Sequence, residues 1–321
     1  MKQTKIIISG IVVLLLLIAG AFSLLQHIRS NDPSGDRTQA VVSLPGKAEA
    51  EALAEKSREV FTAVQPDLRS ALAGMHVIAH RNVIGEDKEH SFEAYDQAIA
   101  DGARIIEQDI VISKDHTLYV FHDQTAGRLT GVSKAFSRMT DEEIDSLRTY
   151  VGNPVLRLSE VFDHYGTTVE YAIELKSKDR DTAGAFMDLV EQYGFADRIM
   201  VQCFDLDILR MIEERYPDMI KVYLCKYPGL LDQGYEASCV DIISVDYYMM
   251  TEERARRAHE GKKLFSVWPV VTEEETKDAI DAGVDIYFTD NVKQSIDLEK
   301  GYGFEKRYQT NEANEKKEQQ Q

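Results

Sequence analysis

Three cysteines in 321 residues, Cys203, Cys225 and Cys239, are too few and too odd in number for a disulfide framework, so folding has to rest on buried apolar area. Basic residues are also short: 37 Lys plus Arg stand against 55 Asp plus Glu, a net charge of −18. A nucleic-acid partner is therefore disfavoured, because affinity for a phosphate backbone comes from basic surface. No GxGxxG or P-loop follows any strand-like run, which removes the signals of dinucleotide and nucleoside-triphosphate binding. Cys/His clustering at zinc spacing is missing as well. With 44% hydrophobic and 9% aromatic residues the chain still has ample material for a core. One large domain or two modest ones would fit this length.

Charge is absent from Ile6 to Leu25, twenty residues that follow Lys2 and Lys5. At ~1.5 Å per helical residue that run matches the ~30 Å hydrocarbon core of a bilayer. Residues 1–28 are expected to form a signal anchor, a single-pass transmembrane helix with the preceding lysines on the cytoplasmic side and the remainder outside the cytoplasm at the cell membrane. Cleavage after Ala19-Gly20-Ala21 is the alternative, and would release the protein by secretion. Residues 29–74 read as a linker, RSNDPSGDRTQAVVSLPG, and a lead-in helix rich in Ala, Glu, Leu and Lys. Residues 301–321 are polar, almost without aliphatics, and are expected to be a disordered tail.

Between them, residues 75–300 alternate short β-branched runs with longer amphipathic stretches. The strand-like runs are HVIAH (76–80), RIIEQDIVI (104–112), LYVFHD (118–123), VEYAIELK (169–176), IMVQCFD (199–205), IKVYLCK (220–226), DIISVDY (241–247), KLFSVWPV (263–270) and VDIYFTD (284–290). Helical patterns separate most of them, such as TEEETKDAIDAG, which stops at Gly283. This alternation predicts an α/β fold with a parallel sheet, and the size fits a TIM (β/α)8 barrel; a doubly wound open sheet is the other solution. One connection breaks the rule. Ser113–Thr117 is too short for a parallel crossover, so the second and third strands form a hairpin. If its centre is near Asp115, facing residues sum to about 230, which sets Asp109 opposite Phe121 and brings His122 beside Glu107 and Asp109.

Glu107 and Asp109 are two apart on a strand and so share a face, where they repel unless a cation holds them. Glu174 and Lys176 repeat the spacing at the end of another apolar strand. The C-terminal ends of strands are where barrel active sites form. Three carboxylates converging there make a hard oxygen site for a divalent cation, Mg²⁺ or Ca²⁺. Structural ion pairs would give the same pattern. His80-Arg81 closes the first strand and His122-Asp123 the third, pairing proton-transfer groups with a guanidinium that suits phosphate oxygens. The other histidines, His27, His76, His90, His116, His164 and His259, read as structural. Trp268, the only tryptophan, is either core or a wall of the substrate pocket.

The segments IAHR (78–81), IIEQD (105–109), VFHD (120–123), IELK (173–176), VW (267–268) and FTD (288–290) resemble the glycerophosphodiester phosphodiesterase family in order and spacing, with 27 residues from His80 to Glu107 and 15 from Glu107 to His122. The resemblance covers about residues 75–292. It implies a TIM barrel with a small insertion after the third strand, here about 124–157. It also implies Glu107, Asp109 and Glu174 as metal ligands, His80 and His122 as general acid and base, and Arg81 and Lys176 as phosphate-binding residues, with Trp268 at the substrate. The implied reaction is metal-dependent hydrolysis of a small glycerophosphodiester to glycerol phosphate and an alcohol, by analogy through attack of the substrate's own glycerol 2-hydroxyl.

Three positions depart from the family pattern. Asn82 replaces the glycine of HRG, Glu89-His90-Ser91 replaces ENT, and Pro269-Val270-Val271 replaces TVN. All three touch the rim of the pocket, and Ser91 can still cap the helix that follows it. Two further readings remain open on sequence alone: a phospholipase C or D-like lyase acting on intact lipids, and a noncatalytic surface protein that binds glycerophosphate.

Overall fold

The computed structural model of the protein describes residues 77–81 and 88–303. The expected anchor 1–28 and the linker and lead-in helix 29–74 lie outside the described residues, as does the tail beyond Gly303. Among the described residues no helix is long and apolar enough to cross a membrane. At the C-terminal end, helical structure runs through a last turn, Glu299–Gly303, three residues into the expected tail.

All nine strand-like runs form strands: β1 (Val77–Ala79), β2 (Ile105–Ile112), β3 (Leu118–Val120), β4 (Glu170–Leu175), β5 (Ile199–Cys203), β6 (Ile220–Cys225), β7 (Ile242–Asp246), β8 (Leu264–Val270) and β9 (Ile286–Thr289). Hydrogen bonding follows the order β1-β9-β8-β7-β6-β5-β4-β2, and the pairing of Ala79 with Ile106 joins β1 to β2. Eight parallel strands thus close into a TIM-like barrel, which leaves the parallel sheet without an open edge. β3 hangs antiparallel on β2 with Ile110 opposite Val120, Val111 opposite Tyr119 and Ile112 opposite Leu118, and the backbone of Phe121 donates to the carbonyl of Asp109. Every pair sums to 230, the register expected from the five-residue connection.

Two cores follow from the alternation of side chains along each strand. Ile78, Ile105, Ala172, Met200, Val222 and Phe288 belong to the core inside the barrel. A larger core lies between the barrel and the helices α1 (Phe92–Ala100), α4 (Leu158–Tyr165), α5 (Arg180–Tyr193), α6 (Leu206–Arg215), α8 (Glu252–Glu260) and α9 (Glu273–Asp281). Several of these helices start on a residue whose side chain caps the free N–H groups: Ser91 before α1, Asp179 before α5, Asp205 before α6, Thr251 before α8 and Thr272 before α9. At the end of α9, Gly283 takes a φ of +73°, a left-handed step that turns the chain directly into β9. Among the described residues the other α-helices are α2 (Gly127–Thr130), α3 (Asp141–Asp145), α7 (Leu231–Glu236) and α10 (Val292–Leu298). Helices α2 and α3 lie between β3 and α4 around a small core of their own, in which Phe121 packs on Phe136.

Candidate active site

The inward-facing positions at the C-terminal ends of the strands carry the polar groups. Strand β2 is buried along its whole length, so Glu107 and Asp109 are buried with it. Asp109 is in register with Glu174 on β4, and Glu174 with Gln202 on β5. One carboxylate oxygen from each of Glu107, Asp109 and Glu174 lies within 4.8 Å of the other two. The three acids expected to converge do so.

Their electrostatics are unbalanced. Lys176 Nζ sits 2.9 Å from Glu174 and 3.3 Å from Asp109. Burial works against ionisation of Asp109, yet Lys176 and His90 outweigh it and hold its pKa well below the usual carboxylate range. Burial pushes Glu174 up to about 8, with the Asp109 charge adding to the rise. Glu107 is raised for the same first reason, although His80 opposes the shift. Lys176 stays raised despite burial because Asp109 and Glu174 surround it. Three carboxylates thus share one ammonium, and two of them gain from any further positive charge. An all-oxygen donor set with that deficit fits a hard divalent cation.

Both histidines stand beside these acids. The His80 Nδ1–H donates to Asp290 Oδ1 (2.6 Å), just past the end of β9. Burial disfavours the His80 imidazolium, but Glu107 and Asp290 outweigh it and raise the pKa. The His122 Nδ1–H donates to Asp123 Oδ1 (2.7 Å). Burial lowers the pKa of His122 to about 4, and Lys176 and Arg81 add to that effect against the pull of Asp109. Each ring is oriented through Nδ1, so Nε2 is the nitrogen left for a ligand.

Arg81 adopts a positive φ of 49°, which aims its backbone N–H at Glu107 Oε2 (2.8 Å). Its Nε is buried without a hydrogen bond, 3.7 Å from Asp109 Oδ2. Trp268 on β8 is half-buried and meets Phe204 edge to face, at 6.0 Å and 90°.

Four contributors to this site were not expected from sequence. His90, read as structural, bonds Asp109 through Nε2 (3.0 Å) while its Nδ1 lies 3.1 Å from the Tyr95 hydroxyl; it is a satisfied histidine whose task is to hold a site acid. Gln202 Nε2 donates to Glu107 Oε1 (3.4 Å). Asp290 holds His80. Arg128, on α2, donates through Nε to Asp123 (2.6 Å) and through its fork to buried Glu89, which links the partner of His122 to a carboxylate 3.7 Å from Arg81. Inward parity on β5 points to Gln202, and FTD marks Asp290; nothing local marks His90 or Arg128.

The model of the glycerophosphoryl diester phosphodiesterase family matches residues 80–294, from the first site histidine to the start of α10. The chain belongs to this family. A glycerophosphodiester phosphodiesterase of Caldanaerobacter subterraneus subsp. tengcongensis is 29% identical over 236 residues, covering 69% of this chain and 96% of the relative. One of Bacillus subtilis is 25% identical over 253 residues, covering 70% and 86%. Among solved structures, a glycerophosphodiester phosphodiesterase from Agrobacterium tumefaciens superposes with a TM-score of 0.61 at 21% identity, covering 71% of this chain and 100% of the other. A phosphodiesterase from Oleispira antarctica, solved with the product sn-glycerol-3-phosphate, gives 0.63 at 19% identity over 69% and 96%. At these identities the structural likeness shows the fold.

Proposed function

We propose that this protein is a glycerophosphodiester phosphodiesterase that releases glycerol phosphate and an alcohol from small glycerophosphodiesters. The observation that carries the reading is the meeting of three buried carboxylates with two imidazoles, each oriented by its own aspartate, at one mouth of the barrel. Glu107, Asp109 and Glu174 would hold a divalent cation, Mg²⁺ or Ca²⁺, which when bound supplies Lewis-acid stabilisation of charge on the phosphate. Arg81 and Lys176 bind the nonbridging phosphate oxygens, and the unpartnered Arg81 Nε is a donor available for one of them. One of His80 and His122 takes the proton of the attacking hydroxyl through its free Nε2, while the other returns a proton to the leaving alcohol. Asp290 and Asp123 keep both rings turned for that exchange. Trp268 borders the organic part of the substrate.

The apolar run Ile6–Leu25 supports a barrel tethered at the outer face of the cell membrane. Incubation of the purified full chain with glycerophosphoglycerol and with glycerophosphocholine, with Mg²⁺ or Ca²⁺ and then with EDTA, tests the activity. Release of glycerol phosphate that EDTA abolishes is expected. Cleavage of an intact phospholipid with neither diester turned over rejects the reading.

A further inference from the structure

At the mouth, strands β5, β6 and β8 present an apolar corner of which the chemistry above uses only Trp268. Met200 on β5 and Phe204 just after it, Val222 and Leu224 on β6, and Leu264 and Trp268 on β8 all join the core inside the barrel. The same alternation carries Lys226, the residue after β6, to an inward position. Its ammonium lies 5.0 Å from the centre of the Phe204 ring and 5.1 Å from that of Trp268. The two rings stand at 90° to each other.

A right-angled pair of aromatic faces is the arrangement that attracts a quaternary ammonium. Here the chain's own cation occupies it. Among the described residues Lys226 takes part in no ion pair, and its neighbours on this corner are π-faces. The Trp268 indole N–H is buried and lacks an acceptor. Asp246, in register with Trp268, spends a carboxylate oxygen on the N–H of Tyr248 (3.1 Å) in the turn that follows β7. The corner therefore places an ammonium and an indole N–H, neither of which has a hydrogen-bond acceptor, beside two aromatic faces.

We infer that Lys226, with Phe204 and Trp268, selects the head group of the substrate by charge, accepting neutral polyol or anionic alcohols and rejecting choline-like quaternary ammonium groups. The inference rests on the phosphodiesterase reading: a diester whose phosphate is held between the carboxylates and the histidines lays its second organic arm over β5–β8. An oxygen-bearing arm accepts from Lys226 Nζ and from the Trp268 N–H. A trimethylammonium group finds the aromatic faces taken and meets a like charge at contact distance.

The test is the ratio of kcat/KM for glycerophosphoglycerol to that for glycerophosphocholine, measured on the full chain and on Lys226→Met and Lys226→Glu. The wild type is expected to favour glycerophosphoglycerol about tenfold or more. Lys226→Met is expected to lower that preference about tenfold, mainly through KM for the choline diester, and Lys226→Glu to lower it further. Equal turnover of both diesters by the wild type, or a ratio that stays within about twofold in both variants, overturns the inference and leaves the phosphodiesterase reading standing. Hydrolysis of neither diester by any of the three proteins overturns that reading and, with it, this one.

Discussion

The two ends of the barrel bury charge in opposite ways. At the base, each buried cation is met by acceptors from the protein. Lys221 Nζ donates to the carbonyls of Met219 (2.6 Å) and Pro217 (3.0 Å) and pairs with Glu213, Lys263 Nζ donates to those of Val240 (2.6 Å) and Ala237 (2.7 Å), and Arg198 holds Glu170 (3.0 Å) and the carbonyl of Thr167 (3.2 Å). At the mouth, two of the three carboxylates, Asp109 and Glu174, share Lys176, and the Nε–H of Arg81 and the indole N–H of Trp268 have no hydrogen-bond acceptor. The base is closed by its own backbone, whereas the mouth is left for a ligand to close. Substitution at the mouth should therefore cost activity, and substitution at the base should cost stability.

The largest effect tests the mouth. His80→Ala or His122→Ala is expected to lower kcat by ~10²–10⁴-fold, the range of general acid–base contributions, with an unfolding midpoint close to that of the wild type. Steady-state assays alongside calorimetry check both halves. A variant that turns over at the normal rate removes that histidine from the mechanism. One that is inactive only because it has unfolded breaks the division of labour between the two ends.

The next effect asks whether the open charge at the mouth is a cation site. A dication at about a hundred times its Kd stabilises the folded state by ~2.7 kcal/mol, so Mg²⁺ or Ca²⁺ should raise the midpoint by several degrees over EDTA. Glu174→Gln should cancel most of that rise while costing little in EDTA, because a carboxyl whose pKa burial pushes up to about 8 is replaced by a neutral amide of the same shape. An equal rise in the variant would take Glu174 out of the ligand set. At the base, Lys263→Met should act in the reverse sense. It strands the carbonyls of Ala237 and Val240 and should cost ~1–3 kcal/mol in urea unfolding with kcat unchanged.

The mouth was more legible in the sequence than the base, for a physical reason. A strand has a period of two, so Glu107 and Asp109, or Glu174 and Lys176, declare a shared face without reference to the rest of the chain. The short Ser113–Thr117 connection fixed the β2–β3 register in the same local way. What stayed hidden are contacts made through space. His80 meets Asp290 across 210 positions, and Arg128 reaches Glu89 across 39. Arg81 and His90 both take positive φ, at 49° and 56°, and the backbone of His90 donates to the carbonyl of Arg81 (3.0 Å). The two left-handed φ values and that hydrogen bond accompany the contact of His90 with Asp109, and neither residue type announces them. Lys221 and Lys263, at the starts of strands, have the sequence appearance of solvated lysines; only the closed barrel shows that backbone carbonyls surround them.

The smallest effect separates the ends by pH. Glu170, at the start of β4, is buried, and one of its oxygens has no hydrogen-bond partner. Burial pushes its pKa up to about 7, with Arg198 opposing the rise without cancelling it. The folded state therefore binds this proton more tightly than the unfolded chain does. The stability it contributes is complete below pH ~4.5 and is lost as the pH climbs through about 7. Glu170→Gln keeps the shape without titrating, so the difference in unfolding free energy, wild type minus variant, should decline between pH 5 and pH 8 by on the order of 1 kcal/mol. Because the acids of the mouth titrate identically in both proteins, they drop out of that difference. Urea unfolding at four pH values across the window measures it. Parallel curves would mean that Arg198 holds Glu170 ionised throughout, and that the base stores its charge as a full ion pair.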